Sequence, residues 1–288
     1  MSHRINAIAP WFGSKRTLAP RIVEALGPHR AYWEPFCGSM AVLLAKEPAT
    51  METVNDLHGD LINLARVLQI EHLAAGLYNR LARTLVSEAL FKTEAALWKE
   101  GGHQPASDQP DPDRAYRFFV CSWMGMNGVA GTQSFNQGFA ARYTQNGGAP
   151  ATRFVAAVES IPDWHHRLRL VTILNKDAFE LLGKVEDADG VAIYLDPPYL
   201  TKGAKYVHDF ARADHARLAE AVRRFRRTRV VVSYYDHPLV RELYSGWRVI
   251  DCATTKAMVA GGKRDQRGRT EAPEILLVNQ EMNGGLFQ

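Results

Sequence analysis

The strongest chemical signal in this sequence is the tetrapeptide Asp196-Pro197-Pro198-Tyr199, which directly follows the apolar run 191–195. Ligands of open parallel sheets bind beyond the carboxyl ends of the strands, so a strand over 191–195 would deliver this turn to a binding site. The two prolines stiffen the turn and lack N–H donors. A carboxylate, carbonyl acceptors and an aromatic face suit an exocyclic amino group on a flat ring, although an ordinary strand-to-loop turn also accommodates two prolines.

Two further motifs follow predicted strands nearer the N-terminus. Glu34-Pro35-Phe36-Cys37-Gly38 lies between a short strand and a helix, where a glycine lets the backbone approach a ligand closely. Asn55-Asp56 ends the next strand, about 20 residues on, where Rossmann-like units place an acid that binds ribose hydroxyls. The sequence contains neither GxGxxG nor GxxxxGK[ST], which excludes a dinucleotide fingerprint and a P-loop.

The elements that must position these motifs alternate between strand and helix in both flanks of the chain. Such alternation predicts an α/β fold with a largely parallel sheet covered by helices. The apolar patterns predict strands at 31–33, 53–54, 171–174, 191–195, 230–234, 247–252 and 274–278, with helices at 18–26, 41–45, 57–68, 178–184 and 214–227.

The middle of the chain, 71–165, has a different pattern. Helical spacing dominates at 71–100, 114–124 and 151–164, and the stretch 125–150 is rich in glycine and turn-forming residues. A loop of that length in a compact domain is usually functional. The sequence therefore predicts a discontinuous domain, 1–70 with 166–288, interrupted by an insertion at 71–165.

Composition and charge exclude several classes of protein. The chain has 288 residues, 46% of them hydrophobic and 23% charged, with three cysteines and a net charge of +4; this excludes a disordered chain and a disulfide framework. Apolar runs are too short to span a bilayer and 1–10 lacks an apolar signal core, which predicts a reducing cytoplasm. The segment 201–271 carries 16 basic and 8 acidic residues, an excess that suits a phosphate-rich partner or a solvated helix face.

As an ordered set, the motifs resemble the D12 class of DNA adenine-N6 methyltransferases in its alpha arrangement. Trp11-Phe12-Gly13-Ser14-Lys15 resembles the N-terminal W-x-G-x-K element, and 34–38 the E-P-F-x-G cofactor loop. Asn55-Asp56 is similar to the ribose-binding turn, and 196–199 to the D-P-P-Y catalytic motif. One departure is Met40, where the family commonly has a second glycine, which puts a close backbone contact there in doubt.

The resemblance implies a Rossmann-like S-adenosylmethionine-dependent methyltransferase fold with an inserted, mainly helical target-recognition domain. It implies methylation of adenine N6 in double-stranded DNA after base flipping. N6 would donate to Asp196 and to the Pro197 carbonyl, and Tyr199 would stack on the ring, with Pro198 completing the catalytic set. S-adenosylmethionine would be bound by Trp11, Gly13, Lys15, Glu34, Pro35, Phe36, Gly38, Asp56, Asp177 and Asp196.

Contacts with double-stranded DNA are expected in the middle segment and near the C-terminus. The expected residues are Met126, Asn127, Gln133, Asn136, Arg142, Lys263, Arg264, Arg267 and Arg269. The basic run 223–229 could contact phosphates, but the favoured expectation places it on the solvated face of helix 214–227. The further expectations are no metal, no membrane, a monomer, and a cytoplasmic location in a bacterial or phage-encoded setting.

Two alternatives remain open at this point. A related enzyme could methylate RNA adenine or protein glutamine instead, although the leading Asp196 favours adenine because glutamine enzymes tend to carry Asn there. A decayed, non-catalytic DNA-binding module is disfavoured by the intact Trp11, Lys15, Asp56 and Asp196, and such a module should not bind S-adenosylmethionine.

Overall fold

The protein is built on one twisted seven-stranded sheet with the strand order β3-β2-β1-β4-β5-β7-β6. The computed structural model describes residues 5–101, 104–126, 130–133, 135, 138–141, 149–200, 207–208, 210–255 and 271–279. The strands are β1 (Ala31–Glu34), β2 (Met51–Asn55), β3 (Thr172–Leu174), β4 (Val191–Leu195), β5 (Arg229–Tyr235), β6 (Arg248–Thr255) and β7 (Glu271–Val278).

The first five strands of that order pair in parallel, and β7 runs antiparallel to both β5 and β6. The helices between them are a 3₁₀ turn (Lys15–Thr17), α1 (Ala19–Leu26), α2 (Ala41–Ala45), α3 (Gly59–Gln69), α4 (Glu71–Ala82), α5 (Glu88–Gly101), α6 (Pro112–Met124), α7 (Pro150–Glu159), α8 (Ile161–Leu168), α9 (Ala178–Lys184), α10 (Arg212–Val222) and α11 (Pro238–Leu243). This arrangement confirms the predicted Rossmann-like α/β fold.

Both faces of the central strands are buried, because successive side chains of a strand point to opposite faces. In β4, Ala192 and Tyr194 join the core under α1 and α3, whereas Ile193 and Leu195 join the core under α9 and α10. Because both faces of β4 are buried, its sequence is an unbroken run of apolar residues. It also leaves Asp196, the next residue, at the carboxyl edge of the sheet.

The middle helices pack on α3 rather than standing apart from the sheet domain. α3 contacts α4, α6 and α8, and a single apolar cluster joins Leu64 of α3 to Phe118, Trp123 and Trp164. The boundary predicted at 165/166 falls inside α8. The inserted segment is therefore an extension of the core on one side of the sheet.

The basic run 223–229 is not a helix face, so that prediction was wrong. α10 ends at Val222, and the run forms a turn into β5. The carboxylate of Asp187 accepts hydrogen bonds from the backbone N–H groups of Arg226, Arg227 and Thr228 at 2.8–2.9 Å. Donors bound to a side chain in this way cannot maintain the i to i−4 ladder of an α-helix.

Helix α11 was not predicted from the sequence.

Among the described helices, none combines the length and apolarity that a membrane span requires.

Candidate active site

The carboxyl ends of β1, β2 and β4 open onto one cleft of about 1120 Å³, including its open mouth. All ten residues predicted to bind the cofactor line this cleft, although they come from five separate stretches of sequence. They are Trp11, Gly13, Lys15, Glu34, Pro35, Phe36, Gly38, Asp56, Asp177 and Asp196.

Glu34, the last residue of β1, is a buried carboxyl group on the cleft wall. Only 1% of it is exposed, and the Tyr32 hydroxyl donates to its Oε2 at 2.9 Å. Burial raises the pKa of Glu34 to about 8, and the nearby carboxylate of Asp196 adds to the rise. Glu34 therefore keeps its proton at neutral pH until a cation approaches.

Asp56 ties the loops after β1 and β2 together. Its Oδ2 accepts from the Gly38 N–H and its Oδ1 from the His58 N–H, both at 2.9 Å. The neighbouring Asn55 donates to the carbonyls of Pro35 and Lys176. Burial raises the pKa of Asp56, and the two backbone donors oppose the rise. A carboxylate has about four acceptor positions, so Asp56 retains capacity for a ligand hydroxyl.

Trp11 packs between two glycines from distant parts of the chain. A Cβ on Gly38 would lie 3.0 Å from the indole, and one on Gly131 would lie 2.4 Å from it. Both glycines also have positive φ, at 43° and 83°, which favours glycine. Gly131 belongs to the glycine-rich part of the inserted segment, and the sequence analysis did not assign it to the cleft.

Met40 keeps the backbone shape that a glycine would adopt. Its φ of 60° and ψ of 28° are left-handed, and its side chain is fully buried. A non-glycine residue in this region costs about 1–3 kcal/mol. The departure from the family pattern therefore leaves the loop path intact and directs the extra side chain into the core.

Asp196 is held by two side chains from other elements. The Lys15 ammonium lies 2.9 Å from its Oδ2, and the Ser233 hydroxyl of β5 donates to its Oδ1 at 2.8 Å. Burial raises the pKa of Asp196, and Lys15 opposes that rise. The carboxylate is thus oriented from both sides before any substrate arrives.

Tyr199 is more enclosed than the sequence analysis expected. It is 7% exposed, its ring packs edge-on against Tyr235 with centroids 4.6 Å apart, and its hydroxyl donates to Glu274 Oε1 at 2.5 Å. Of the D-P-P-Y residues, Asp196 and Pro198 line the cleft, whereas Pro197 and Tyr199 are not among its described lining residues.

An aromatic wall lies beside Asp177. Asp177 Oδ1 caps α9 by accepting from the N–H groups of Phe179 and Glu180. The Phe179 ring stacks on Phe210 with 5.9 Å between centroids, and the Arg217 guanidinium covers it at 3.8 Å. These side chains line the cleft and offer a flat apolar surface next to a carboxylate.

Several cleft and site residues carried no signal that sequence reasoning used. Phe179 lies two residues after Asp177 and could have been found from its place in the first turn of α9. Ser233 was noted only as part of a strand, and its contact with Asp196 depends on the pairing of β4 with β5. Gly131, His208, Phe210 and Glu274 required the tertiary structure.

The structure describes two of the predicted DNA-contacting residues, Met126 and Gln133. Met126 is 44% exposed, and Gln133 is exposed as well. The other predicted contacts lie outside the described residues: Asn127, Asn136, Arg142, Lys263, Arg264, Arg267 and Arg269.

The described part of the chain offers neither a metal-binding cluster nor a reactive thiol. No group of three or more His, Cys, Asp or Glu side chains within those residues is arranged to hold a metal ion. Cys37 lies in the loop 34–38 but is buried, and burial raises the pKa of its thiol well above the usual value. A raised pKa disfavours the thiolate that a nucleophile requires.

Comparison with known proteins gives one family match. The model of the D12 class N6 adenine-specific DNA methyltransferase family matches residues 11–258. No curated protein gives a significant match. Among solved structures, the chain is similar to precorrin-8w decarboxylase from Methanobacterium thermoautotrophicum, with 12% identity, a TM-score of 0.36, and coverage of 92% of this chain and 90% of that chain.

Proposed function

The chain belongs to the D12 class of N6 adenine-specific DNA methyltransferases, and from this premise we propose how its cleft works. The methyl donor is S-adenosylmethionine, and the acceptor is the N6 of an adenine flipped out of double-stranded DNA. The observation that carries the proposal is the meeting of Asp196 with the nine other predicted cofactor residues around one cleft.

The lining of the cleft fits the donor in chemistry. Gly38 lets the Trp11 indole pack directly on the loop backbone at the cleft wall, and Asp56 retains acceptor positions for ribose hydroxyls. Asp177 with Phe179 offers a carboxylate and an aromatic face to an adenine ring.

The charges of the cleft also suit a cation. Glu34 and Asp196 are carboxyl groups that burial holds at a raised pKa, and Lys15 is the ammonium that lies between Asp196 and Glu274. A positively charged ligand stabilises the ionised form of such carboxyl groups. S-adenosylmethionine supplies an electrophilic methyl group on a cationic sulfonium: as N6 bonds to the methyl carbon, the carbon–sulfur bond breaks, leaving a neutral thioether.

The protein contributes mainly by positioning the acceptor nitrogen. Asp196 and the Pro197 carbonyl accept the two N6 hydrogens and so turn the nitrogen lone pair toward the methyl group. The Asp196 carboxylate also stabilises the positive charge that develops on N6, whose extra proton then leaves to water. Holding reactants in such a geometry accounts for much of the rate gain in group transfer, and Lys15 with Ser233 keeps Asp196 in place.

The inserted helices are proposed to carry target recognition. Residues 71–165 would form the recognition region, with 1–70 and 166–288 forming the catalytic domain around the sheet. Met126 and Gln133 are exposed on that segment. An exposed Met can wedge into a base stack, and a Gln can read adenine in the major groove.

The test is methyl transfer by the purified protein. Unmethylated genomic DNA is incubated with isotopically labelled S-adenosylmethionine and digested to nucleosides, which are identified by mass spectrometry. We expect label in N6-methyladenine, and sequencing that detects this base then gives the recognition site. Label in methylcytosine, or in RNA or protein but not in DNA, would contradict the proposal, and so would a lack of cofactor binding in calorimetry.

A further inference from the structure

Glu274, which no sequence motif pointed to, lies at the functional edge of the sheet. It pairs with Tyr235, the last residue of β5, and Asp196 follows the neighbouring strand β4. Because β7 runs antiparallel to β5, an early residue of β7 reaches the edge where β4 and β5 end. The direction of this one strand therefore brings a third carboxylate next to the D-P-P-Y turn.

One oxygen of Glu274 contacts two site residues at once. Its Oε1 accepts from the Tyr199 hydroxyl at 2.5 Å and lies 3.4 Å from the Lys15 ammonium. The same ammonium also donates to the Gly13 carbonyl at 2.8 Å and lies 2.9 Å from Asp196 Oδ2. Lys15 in addition lies 5.0 Å from the centre of the Tyr199 ring.

The sharing of Lys15 has a consequence for the proposed chemistry. An ammonium that had Asp196 as its sole anionic partner would compete with N6 for the carboxylate oxygens. A second carboxylate compensates the charge of Lys15 from the other side, so Asp196 can accept from N6 without leaving a buried cation unpaired. The same carboxylate fixes the hydroxyl of Tyr199 and hence the plane of its ring.

We propose that Glu274 is a positioning residue for methyl transfer, which holds Tyr199 and Lys15 against Asp196 through a single carboxylate oxygen. This inference rests on the proposed function of the cleft. Glu274 acts through its neighbours and makes no contact with the reacting atoms.

The test compares kcat for DNA methylation in four variants with the wild type. Glu274→Ala should lower kcat about 100-fold, the size of effect that a misplacement near 1 Å produces. Glu274→Gln keeps an acceptor for Tyr199 and loses the charge, so kcat should fall about tenfold, the difference between a charged and a neutral hydrogen bond. Tyr199→Phe keeps the ring and loses the hydroxyl, and the double variant Tyr199→Phe/Glu274→Ala should be no slower than Glu274→Ala.

The matched control is Glu220→Gln on α10, an exposed carboxylate paired with Arg223, which should leave kcat unchanged. Melting temperature and the cofactor dissociation constant are measured for every variant, since a residue that only stabilised the fold would lower kcat in step with thermal stability. Partial rescue by Gln, relative to Ala, and non-additivity with Tyr199→Phe are outcomes that a purely structural role does not produce.

Three results would overturn the inference. They are an unchanged kcat in Glu274→Gln, independent and additive effects of Tyr199→Phe and Glu274→Ala, or losses of kcat that simply follow losses of stability. If Glu274→Ala does not fold, kcat of the volume-conserving Glu274→Gln variant tests the inference instead. If the wild type transfers no methyl group to adenine, the proposed function and this inference are both overturned. If the wild type is active and kcat of Glu274→Gln is unchanged, only this inference is overturned.

Discussion

The two halves of the candidate active site are built in different ways. The proposed cofactor half, consisting of the loops 34–38 and 55–58, is held by hydrogen bonds between side chains and nearby backbone, such as Asp56 with the N–H groups of Gly38 and His58. The proposed transfer half, consisting of Lys15, Asp196, Tyr199, Ser233 and Glu274, is held by contacts between side chains that lie far apart in the sequence.

The difference shows that local sequence holds the proposed cofactor loops, whereas tertiary structure assembles the side chains proposed to act in transfer. Backbone-tied loops keep their shape wherever their own residues are present, so changes there should weaken cofactor binding first. A network of buried charged side chains depends on every partner, because each loss leaves another polar group unsatisfied. Changes in the transfer half should therefore act on turnover more than on cofactor affinity.

The largest effect should come from Asp196→Ala. Losing the acceptor that orients N6 and stabilises its developing charge should lower kcat at least about 1000-fold, while DNA binding is largely retained. Single-turnover methylation and DNA gel shifts measure the two properties. The control is Asp189→Ala, an exposed residue paired with Arg227. Retained turnover in Asp196→Ala would exclude this residue from catalysis. It would also contradict the assignment of turnover to the transfer half.

Glu34 lies where the two halves meet, and its titration should appear in stability. The unfolded chain loses the proton near the ordinary pKa of 4.5, whereas the folded protein keeps it up to about 8. The folded state therefore binds more protons between these values, and wild-type stability must fall as pH rises through that window. Glu34→Gln removes the titration and should exceed the wild type by roughly 2–4 kcal/mol at pH 8.

The measurement for Glu34 is urea unfolding of both proteins without ligand from pH 5 to pH 8. At pH 5 the difference should be under about 1 kcal/mol, because Glu34 is protonated in the folded state and the unfolded chain has only begun to gain from losing its proton. A constant difference across the range would mean that Glu34 does not carry the shifted pKa.

Asp56→Ala tests the cofactor half alone. The lost ligand hydrogen bond and the loosened Gly38 and His58 N–H groups should raise the cofactor dissociation constant about 10- to 100-fold, since hydrogen bonds to charged groups contribute about 1.5–3 kcal/mol. At saturating cofactor, kcat should change little. Calorimetry gives the dissociation constant, with the exposed Asp113→Ala as the control. A constant within twofold of the wild type would exclude Asp56 from ribose binding.

The smallest effect is expected for Ser233→Ala. It removes one hydrogen bond to Asp196 and leaves Lys15 in place, so kcat should fall about fivefold, the equivalent of roughly 1 kcal/mol. Cofactor affinity should not change, and the exposed Ser245→Ala should behave as the wild type. A rise in the cofactor dissociation constant with normal kcat would contradict the assignment of Ser233 to the transfer half.

The accuracy of the sequence predictions follows the same division. Glu34, Gly38 and Asp56 line one cleft, as expected, because each lies at or just after the end of a strand, and the ends of parallel strands meet at one edge of the sheet. The run 223–229 was misread because the carboxylate of Asp187, about 40 residues earlier in the chain, takes its backbone donors. Nothing local to the run signals that competition.

Short stretches of sequence were enough to predict the α/β alternation and to place the loop 34–38, Asn55-Asp56 and the D-P-P-Y turn at strand ends, because the periodicity and turn chemistry of these stretches are local. The tertiary structure decided that Glu274 and Ser233 join Asp196, that Tyr199 is enclosed, and that Gly131 packs on Trp11. Each of these depends on which strands pair and in which direction. The antiparallel course of β7 is the clearest case, because reversing it would move Glu274 to the opposite edge of the sheet.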